Sequence, residues 1–347
     1  MNKDFIIKQL KTEDDLILEK FLNSVGKCNP SVLGYHYPLY RDMLKRVKIG
    51  KPFYLGAFIN DKLVGYIPGF IKKSSFGSAY CSLPYFGPNA GLIIDSSHRD
   101  MASSILEKAI NIIAKRNKDL LTISFYTPFL DSKFAHYEKA LGKYIEVKKF
   151  TQYLDLGQAK WDKKIQYDIR KCVNSGVAVE KTINTRNIND LYRIYLENCR
   201  DYKIPIKPKI AVEYLIKRGV KENKIGYYFA FSKNKKMVGG LIVIWSPKTA
   251  SYYIPCSLKS VRSLQINTFL IDTAVSEAKK RGIKYWNWES SPSVDSGVFQ
   301  FKKKWGSKVS KYKIFIKLFC REEKIKEIGF KNISKFFPRF YIYPFNK

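Results

Sequence analysis

The segment SGVFQFKKKWGSK (296–308) sets three consecutive lysines, 302–304, behind Phe299 and Phe301 at alternate places. A lysine that faces a cleft can stabilise negative charge that develops there. Read as a strand, 298–302 sets Val298, Gln300 and Lys302 on one face and Phe299 and Phe301 on the other. Lys303 then emerges opposite Lys302. One of these lysines can therefore face a cleft while its neighbour does not; a solvated basic turn ending at Gly306 is the competing reading, and the plainer one for Lys303 and Lys304. Upstream, YWNWES (285–290) carries Asn287 and Glu289, and SYYIPCS (251–257) carries Tyr253. Glu289 can accept a proton from an attacking ammonium, directly or through water. Hydrogen bonding that only supports the fold is the alternative for all three.

Two further groups could hold an anion. Arg170 stands in DIRK (168–171), where an exposed ion cluster on a helix is the plainer account. Arg262 and Gln265 stand in SLKSVRSLQIN (257–267), just ahead of a helix-like stretch, where unpaired N–H groups and the helix dipole favour negative charge. Metal chemistry has little support. His36, His98 and His136 sit in no metal-ligand spacing, and the six cysteines lie far apart without a CxxC pair. Buried, reduced thiols are expected.

The elements that must position these residues occur twice. FYLGAFINDKLVGYIPGFI (53–71) and YYFAFSKNKKMVGGLIVIW (227–245) both read as strand, polar turn, strand, and Ala57 and Val64 answer Ala230 and Val238. An aromatic strand follows in each case, SAYCSLPY (78–85) and ASYYIPCS (250–257), and then a stretch with helical spacing, 98–118 and 263–284. Each copy closes on a strand, LLTISFY or YWNWES. The spacing is far beyond the roughly 20 to 50 residues of a solenoid repeat, so it marks a duplicated domain. The chain is expected to divide into 1–150, 151–320 and a basic, aromatic tail, 321–347. Between the copies, a charged helix ending at Gly176 and an amphipathic helix over 187–203 lead into the helix-breaking IPIKP (204–208).

Its 347 residues, 45% of them hydrophobic, can bury a substantial core, and disorder is excluded. Lys and Arg number 63 against 30 Asp and Glu, a formal charge of +33, which favours phosphate-rich partners; a lysine-rich background is the plainer explanation. No run approaches the roughly 18 uninterrupted apolar residues of a membrane span, and the start of the chain is acidic where a signal peptide is apolar. A cytoplasmic protein, peripheral at most to the inner face of a membrane, is expected.

The order hairpin, strand, loop, helix, strand resembles the GNAT acyltransferase fold, and two copies with this linker resemble the FemABX family of peptidyl and aminoacyl transferases. The resemblance spans roughly 5–315 and rests on LPYFGPNAG (83–91), TQYLDL (151–156), DIRKCVNSGV (168–177), YRIYLENCRDYKIP (192–205), INTFLIDTAVSEAKKRGIKYWNWESS (266–291) and GVFQFKKKWG (297–306). It implies an α/β (α+β) fold of two tandem GNAT-like domains, each a mixed, mostly antiparallel sheet flanked by helices. It also implies that Phe301 and Lys302 match the family's late FK pair, with the lysine stabilising the transition state. Tyr85, Gly87 and Asn89 would form a turn that shapes the acceptor groove.

As the resemblance implies, the donor is an aminoacyl-tRNA, and the acceptor is an amine of a cell-envelope precursor carrying a nucleotide or lipid pyrophosphate. The precursor would be a peptidoglycan-type peptide or an amino sugar. No tightly bound cofactor is expected. Acyl-CoA is the alternative donor, for N-acetylation of an amino sugar in polysaccharide biosynthesis, although 257–267 lacks the glycine that lets backbone approach a pyrophosphate. A third reading is a nucleic-acid or membrane-surface binding protein with an inactive transferase fold. It leans on the segment 301–347, where 14 Lys and Arg face 3 Glu and could meet an anionic membrane surface.

Overall fold

The computed structural model describes residues 4–86 and 89–345. Contacts divide the chain into two compact units, one made of residues up to 149 together with those from 311 onward, the other of 150–310. This differs from the division expected at 150 and 320, because the segment after 310 packs back into the first unit.

The first unit opens with β1 (Ile6–Leu10), α1 (Asp15–Gly26) and α2 (Pro38–Arg46), then β2 (Lys51–Pro52). Two hairpins follow, β3 (Tyr54–Ile59) with β4 (Lys62–Ile67), and β5 (Phe70–Ser74) with β6 (Gly77–Cys81). The first turns at Asn60 and Asp61, both at positive φ, as a tight right-twisted hairpin requires. After β7 (Ile93–Ile94), α3 (Ala102–Arg116) carries the chain to β8 (Leu120–Tyr126), parallel to β6, and α4 (Ala135–Leu141) completes this run.

The chain crosses to the second unit within β9 (Ile145–Asp155). There it forms α5 (Lys163–Asn174), β10 (Ala178–Glu180), α6 (Thr185–Asp201) and α7 (Lys209–Lys221). The repeat then recurs as the hairpin β11 (Ile225–Phe231) and β12 (Met237–Trp245), β13 (Thr249–Ser257), α8 (Ile266–Lys280) and β14 (Tyr285–Ser290). Strand order in this unit is β10-β11-β12-β13-β14-β9, with only the β13–β14 pair parallel. Parallel neighbours need a long crossover, and α8 supplies it. Leu270, Ile271, Ala274, Val275 and Ala278 of α8 pack with Leu241, Val243, Trp286 and Trp288 as the core.

The segment expected as a strand, 298–302, is instead within a helix, α9 (Gly297–Lys304). Ser296 caps it, its hydroxyl accepting from the Phe299 N–H at 3.2 Å. The chain returns to the first unit through β15 (Lys308–Leu318), which pairs with β8, and ends with α10 (Glu322–Phe336). The basic tail is not a loose extension. Ile325, Ile328, Phe337, Phe340 and Ile342 are buried, and among the larger apolar side chains here Phe330 is exposed. Among the described residues no helix is long and apolar enough to cross a membrane.

In the first unit His36 is fully buried, and its Nδ1 accepts from the Leu33 N–H at 2.9 Å. Burial lowers its pKa from 6.5 to about 4, only partly opposed by its backbone bond at Leu33. Below pH 6.5 the unfolded chain takes up a proton that the folded chain refuses until about pH 4, so stability falls as the solution is acidified through that window. Between pH 7 and 5 this group is expected to remove about 2 kcal/mol, at roughly 1.4 kcal/mol per pH unit. Urea unfolding of His36→Asn, which keeps an acceptor for Leu33, should show a correspondingly flatter pH dependence than the unaltered chain.

Candidate active site

The two copies of the repeat differ in how far their parallel strands stay paired. In the first unit β6 and β8 pair from Ser78↔Leu120 to Cys81↔Ser124. They remain joined beyond that, through Ser82 N–H to the Ser124 carbonyl at 2.9 Å and Tyr126 N–H to Ser82 Oγ at 2.9 Å. In the second unit β13 and β14 share only Thr249↔Tyr285, Ala250↔Trp286 and Ser251↔Asn287. Beyond these they part, although β13 runs on to Ser257 and β14 to Ser290. The carboxyl ends of parallel strands are where open α/β sheets receive ligands.

Glu289 marks the parting. Its φ is +61°, in the left-handed region that costs a side-chain-bearing residue on the order of 1 kcal/mol or more, and the β14–β9 register shifts between Asn287 and Ser290. Asn287, fully buried, holds this conformation. Its Oδ1 accepts from the Glu289 N–H at 3.0 Å and from Thr151 Oγ1 at 3.2 Å, while its Nδ2 donates to Glu289 Oε1 at 2.8 Å. One amide thus fixes both the turn of the backbone and the direction of the carboxylate.

Lys302 closes the arrangement from α9. Helical spacing puts Phe299 and Lys302 on one buried side, while Lys303 and Lys304 are exposed. The expected distinction among the three lysines therefore arises from a helix, not from strand alternation. Lys302 is 3% exposed, and its Nζ donates to the Glu289 carbonyl at 3.2 Å, the Ser290 carbonyl at 3.0 Å and Ser291 Oγ at 3.0 Å. An ammonium has three N–H donors, and three acceptors meet them. Burial lowers its pKa from 10.5 to about 8, with the Glu289 carboxylate acting the other way.

A second layer supports this contact. Ser291 Oγ donates to Gln152 Oε1 at 2.8 Å, and Gln152 Nε2 donates to the Phe299 carbonyl at 3.2 Å and Ser307 Oγ at 3.0 Å. Gln152 is fully buried and ties β9 to both ends of the turn around α9. Sequence reasoning passed over Gln152 and Ser291. The signal for Gln152 lies in TQYLDL, where a glutamine sits close to Tyr153 and Leu154 and must find polar partners when buried.

The remaining expected site residues divide. Tyr253 is buried on β13, with the Lys207 ammonium 4.9 Å from its ring centroid. Phe301 is half-buried and lies 6.3 Å from Trp288, centroid to centroid. Gln265 takes a left-handed φ of +59° and opens α8, its carbonyl accepting from the Thr268 N–H at 2.9 Å. Arg262, expected to receive a phosphate, is paired with Asp201 at 2.8 Å and lies over the Tyr202 ring. Arg170 is exposed on α5, with no ion pair among the described residues. Tyr85 and Asn89 belong to the first unit. The Tyr85 N–H donates to the Arg339 carbonyl at 3.3 Å, and Asn89 Nδ2 donates to the Thr127 carbonyl at 3.2 Å. Gly87 lies outside the described residues.

No family model matches the chain, and no curated protein matches it. Among solved structures it is similar to FemX, with a TM-score of 0.69 at 11% identity over 93% of this chain and 99% of that one. The chain has the FemX-like tandem GNAT fold. A tandem GNAT protein from the clavulanic acid biosynthesis pathway aligns with a TM-score of 0.53 at 10% identity, over 92% of this chain and all of that one. L-PGS from Bacillus licheniformis aligns at 0.54 and 13% identity, over 84% of this chain and 94% of that one. These likenesses establish the architecture expected from the repeat, at identities that speak for the fold alone.

Ser291→Ala is expected to leave one Lys302 N–H and Gln152 Oε1 short of a partner inside the protein. Loss of about 1 to 3 kcal/mol in chemical denaturation should follow. Ser291→Thr, which keeps the hydroxyl, should recover most of it.

Proposed function

We propose that the protein is an N-acyltransferase of the FemABX/GNAT type, which moves an aminoacyl or acyl group onto an amine of a cell-envelope precursor. The observation that carries this reading is the buried Lys302 ammonium at the place where β13 and β14 part, beside the Glu289 carboxylate. In the reaction, a neutral amine attacks the donor's ester carbonyl. A C–N bond forms, the ester C–O bond breaks, and the departing oxygen leaves as a hydroxyl after taking up a proton. Glu289 accepts the proton that the amine sheds, directly or through water. Lys302 turns one N–H from a main-chain carbonyl to the oxygen on which charge develops. The cation is already positioned and out of water, so the contact needs little reorganisation.

An aminoacyl ester, as on tRNA, is the donor this reading favours. The stretch ahead of α8 has no glycine, and Arg262 is engaged by Asp201, so a pyrophosphate has few groups to meet it there. Acyl-CoA remains the alternative, for which the αL turn at Gln265 leading into α8 is the supporting feature. The acceptor would be a peptidoglycan-type peptide or an amino sugar, and such a donor sets the reaction in the cytoplasm.

Because the ammonium is the working form, turnover is expected to decline as pH rises through about 8, the lowered pKa of Lys302. Lys302→Ala is expected to reduce turnover by about 100-fold or more. Lys304→Ala, at an exposed position, should change it by less than about twofold. Mass spectrometry of a muropeptide precursor incubated with aminoacyl-tRNA or with acetyl-CoA identifies donor and transferred group together. Equal, mild effects of the two substitutions in folded protein would overturn the role given to Lys302.

A further inference from the structure

Where α6 gives way to α7 the chain reads YKIPIKPKI (202–210). Tyr202, Ile204, Ile206 and Ile210 are 42% to 58% exposed there. They are four of the fourteen large apolar side chains that stand out to solvent among the described residues, gathered into nine positions. Such side chains scattered singly over a surface need no account, but a cluster marks a contact. Lys203, Lys207 and Lys209 are interleaved with them, and 202–212 contains no acid. The acids on either side are engaged, Asp201 with Arg262 at 2.8 Å and Glu213 with Lys209 at 3.6 Å.

The backbone holds this pattern outward. The Ile204 N–H donates to the Cys199 carbonyl at 2.9 Å, ending α6. The Lys207 N–H donates to the Tyr195 hydroxyl at 3.0 Å, and the Tyr192 hydroxyl donates to the Lys207 carbonyl at 3.2 Å. Two tyrosines of α6 thus pin the segment, while Pro205 and Pro208 fix φ at their positions. A segment fixed in this way loses little conformational freedom on binding. Its main chain also has few donors left to desolvate, which is what keeps ordinary loops out of lipid. Of residues 204–208, the two prolines have no N–H, and those of Ile204 and Lys207 are bonded within the protein.

The occupant must be apolar and anionic side by side. An RNA strand would meet the lysines and leave the isoleucines in water, and an apolar groove on a protein would leave the lysines unmatched. At the headgroup boundary of a bilayer, aliphatic side chains reach the acyl region, lysines extend their ammoniums to phosphate, and tyrosine sits between the two. In the basic tail, by contrast, Phe337, Phe340 and Ile342 are buried.

We infer that 202–210 docks the protein on an anionic lipid surface, with Ile204 and Ile206 entering the headgroup region and Lys203 and Lys209 meeting lipid phosphates. This concerns a surface and not the chemistry, so it stands or falls apart from the transferase reading.

The full chain is sedimented with sucrose-loaded vesicles of phosphatidylcholine, alone or with one part phosphatidylserine to three. Binding to the mixed vesicles is expected, and Ile204→Ser with Ile206→Ser should weaken it by about tenfold or more. Leu16→Ser with Ile17→Ser, at exposed positions of α1, should leave it within about twofold. Lys203→Gln with Lys209→Gln should also weaken it by about tenfold or more, against little change for Lys115→Gln with Lys118→Gln in the first unit. Raising the salt to about 0.5 M should erase the effect of the lysine pair and preserve that of the isoleucine pair. Unchanged melting temperatures establish that the variants are folded. The inference is overturned if the chain ignores the mixed vesicles, or if the isoleucine pair binds them as the unaltered chain does, because general electrostatics then explains any attraction. It is overturned as well if light scattering shows a dimer that the isoleucine pair dissolves, since a second copy then covers this surface.

Discussion

An ammonium withdrawn from water must find an acceptor for each of its three N–H bonds, and the end of the second unit's sheet is organised around that need. Lys302 finds two main-chain carbonyls and one hydroxyl within a run of three residues, 289–291. Those carbonyls converge because Glu289 adopts a left-handed conformation, which a regular strand would not allow. The conformation in turn stands on Asn287, whose amide bonds the Glu289 backbone and side chain together. Removing a buried ammonium's partners is costly, so each of these groups constrains the next. The Glu289 carboxylate opposes the burial that lowers the cation's pKa.

Duplication gave the chain two crossover units of the same order, and they have diverged in how far their parallel strands stay joined. Ser82 continues the β6–β8 ladder with both its backbone and its hydroxyl, closing the first copy. In the second copy the ladder stops after three positions, and the bulge at Glu289 turns the end of β14 toward α9. The first copy retains a packed core, and its unit receives the end of the chain, where Phe337, Phe340 and Ile342 are buried. A tail packed in this way cannot offer those side chains to a membrane.

Much of the architecture was legible because it rests on local pattern. Alternating and helical apolar spacings, the Asn60–Asp61 turn and Gly176 at positive φ all specify elements through backbone sterics and period. The stretch 298–302 was misread for a physical reason. Val298, Phe299 and Phe301 favour extended structure on propensity, but Ser296 caps a helix and the burial of Phe299, Lys302 and Trp305 favours a three-residue repeat. Propensity over five residues is a weak term, and packing overrides it. Gln152 and Ser291 escaped notice because their importance lies in bonds across separations of 139 and 11 residues, which no local pattern encodes.

The sequence by itself determined the duplicated order of elements, the excess of positive charge and the candidacy of Lys302, all of which depend on residue type and near-neighbour spacing. Only the tertiary structure decided that Lys302 is held on 289–291, that Arg262 is occupied by Asp201, and that the chain after 310 belongs with the first unit. Each of these is a long-range pairing. Its free energy comes from desolvating particular polar groups and supplying them with partners distant in the chain, and that becomes readable only once the fold has brought the partners together.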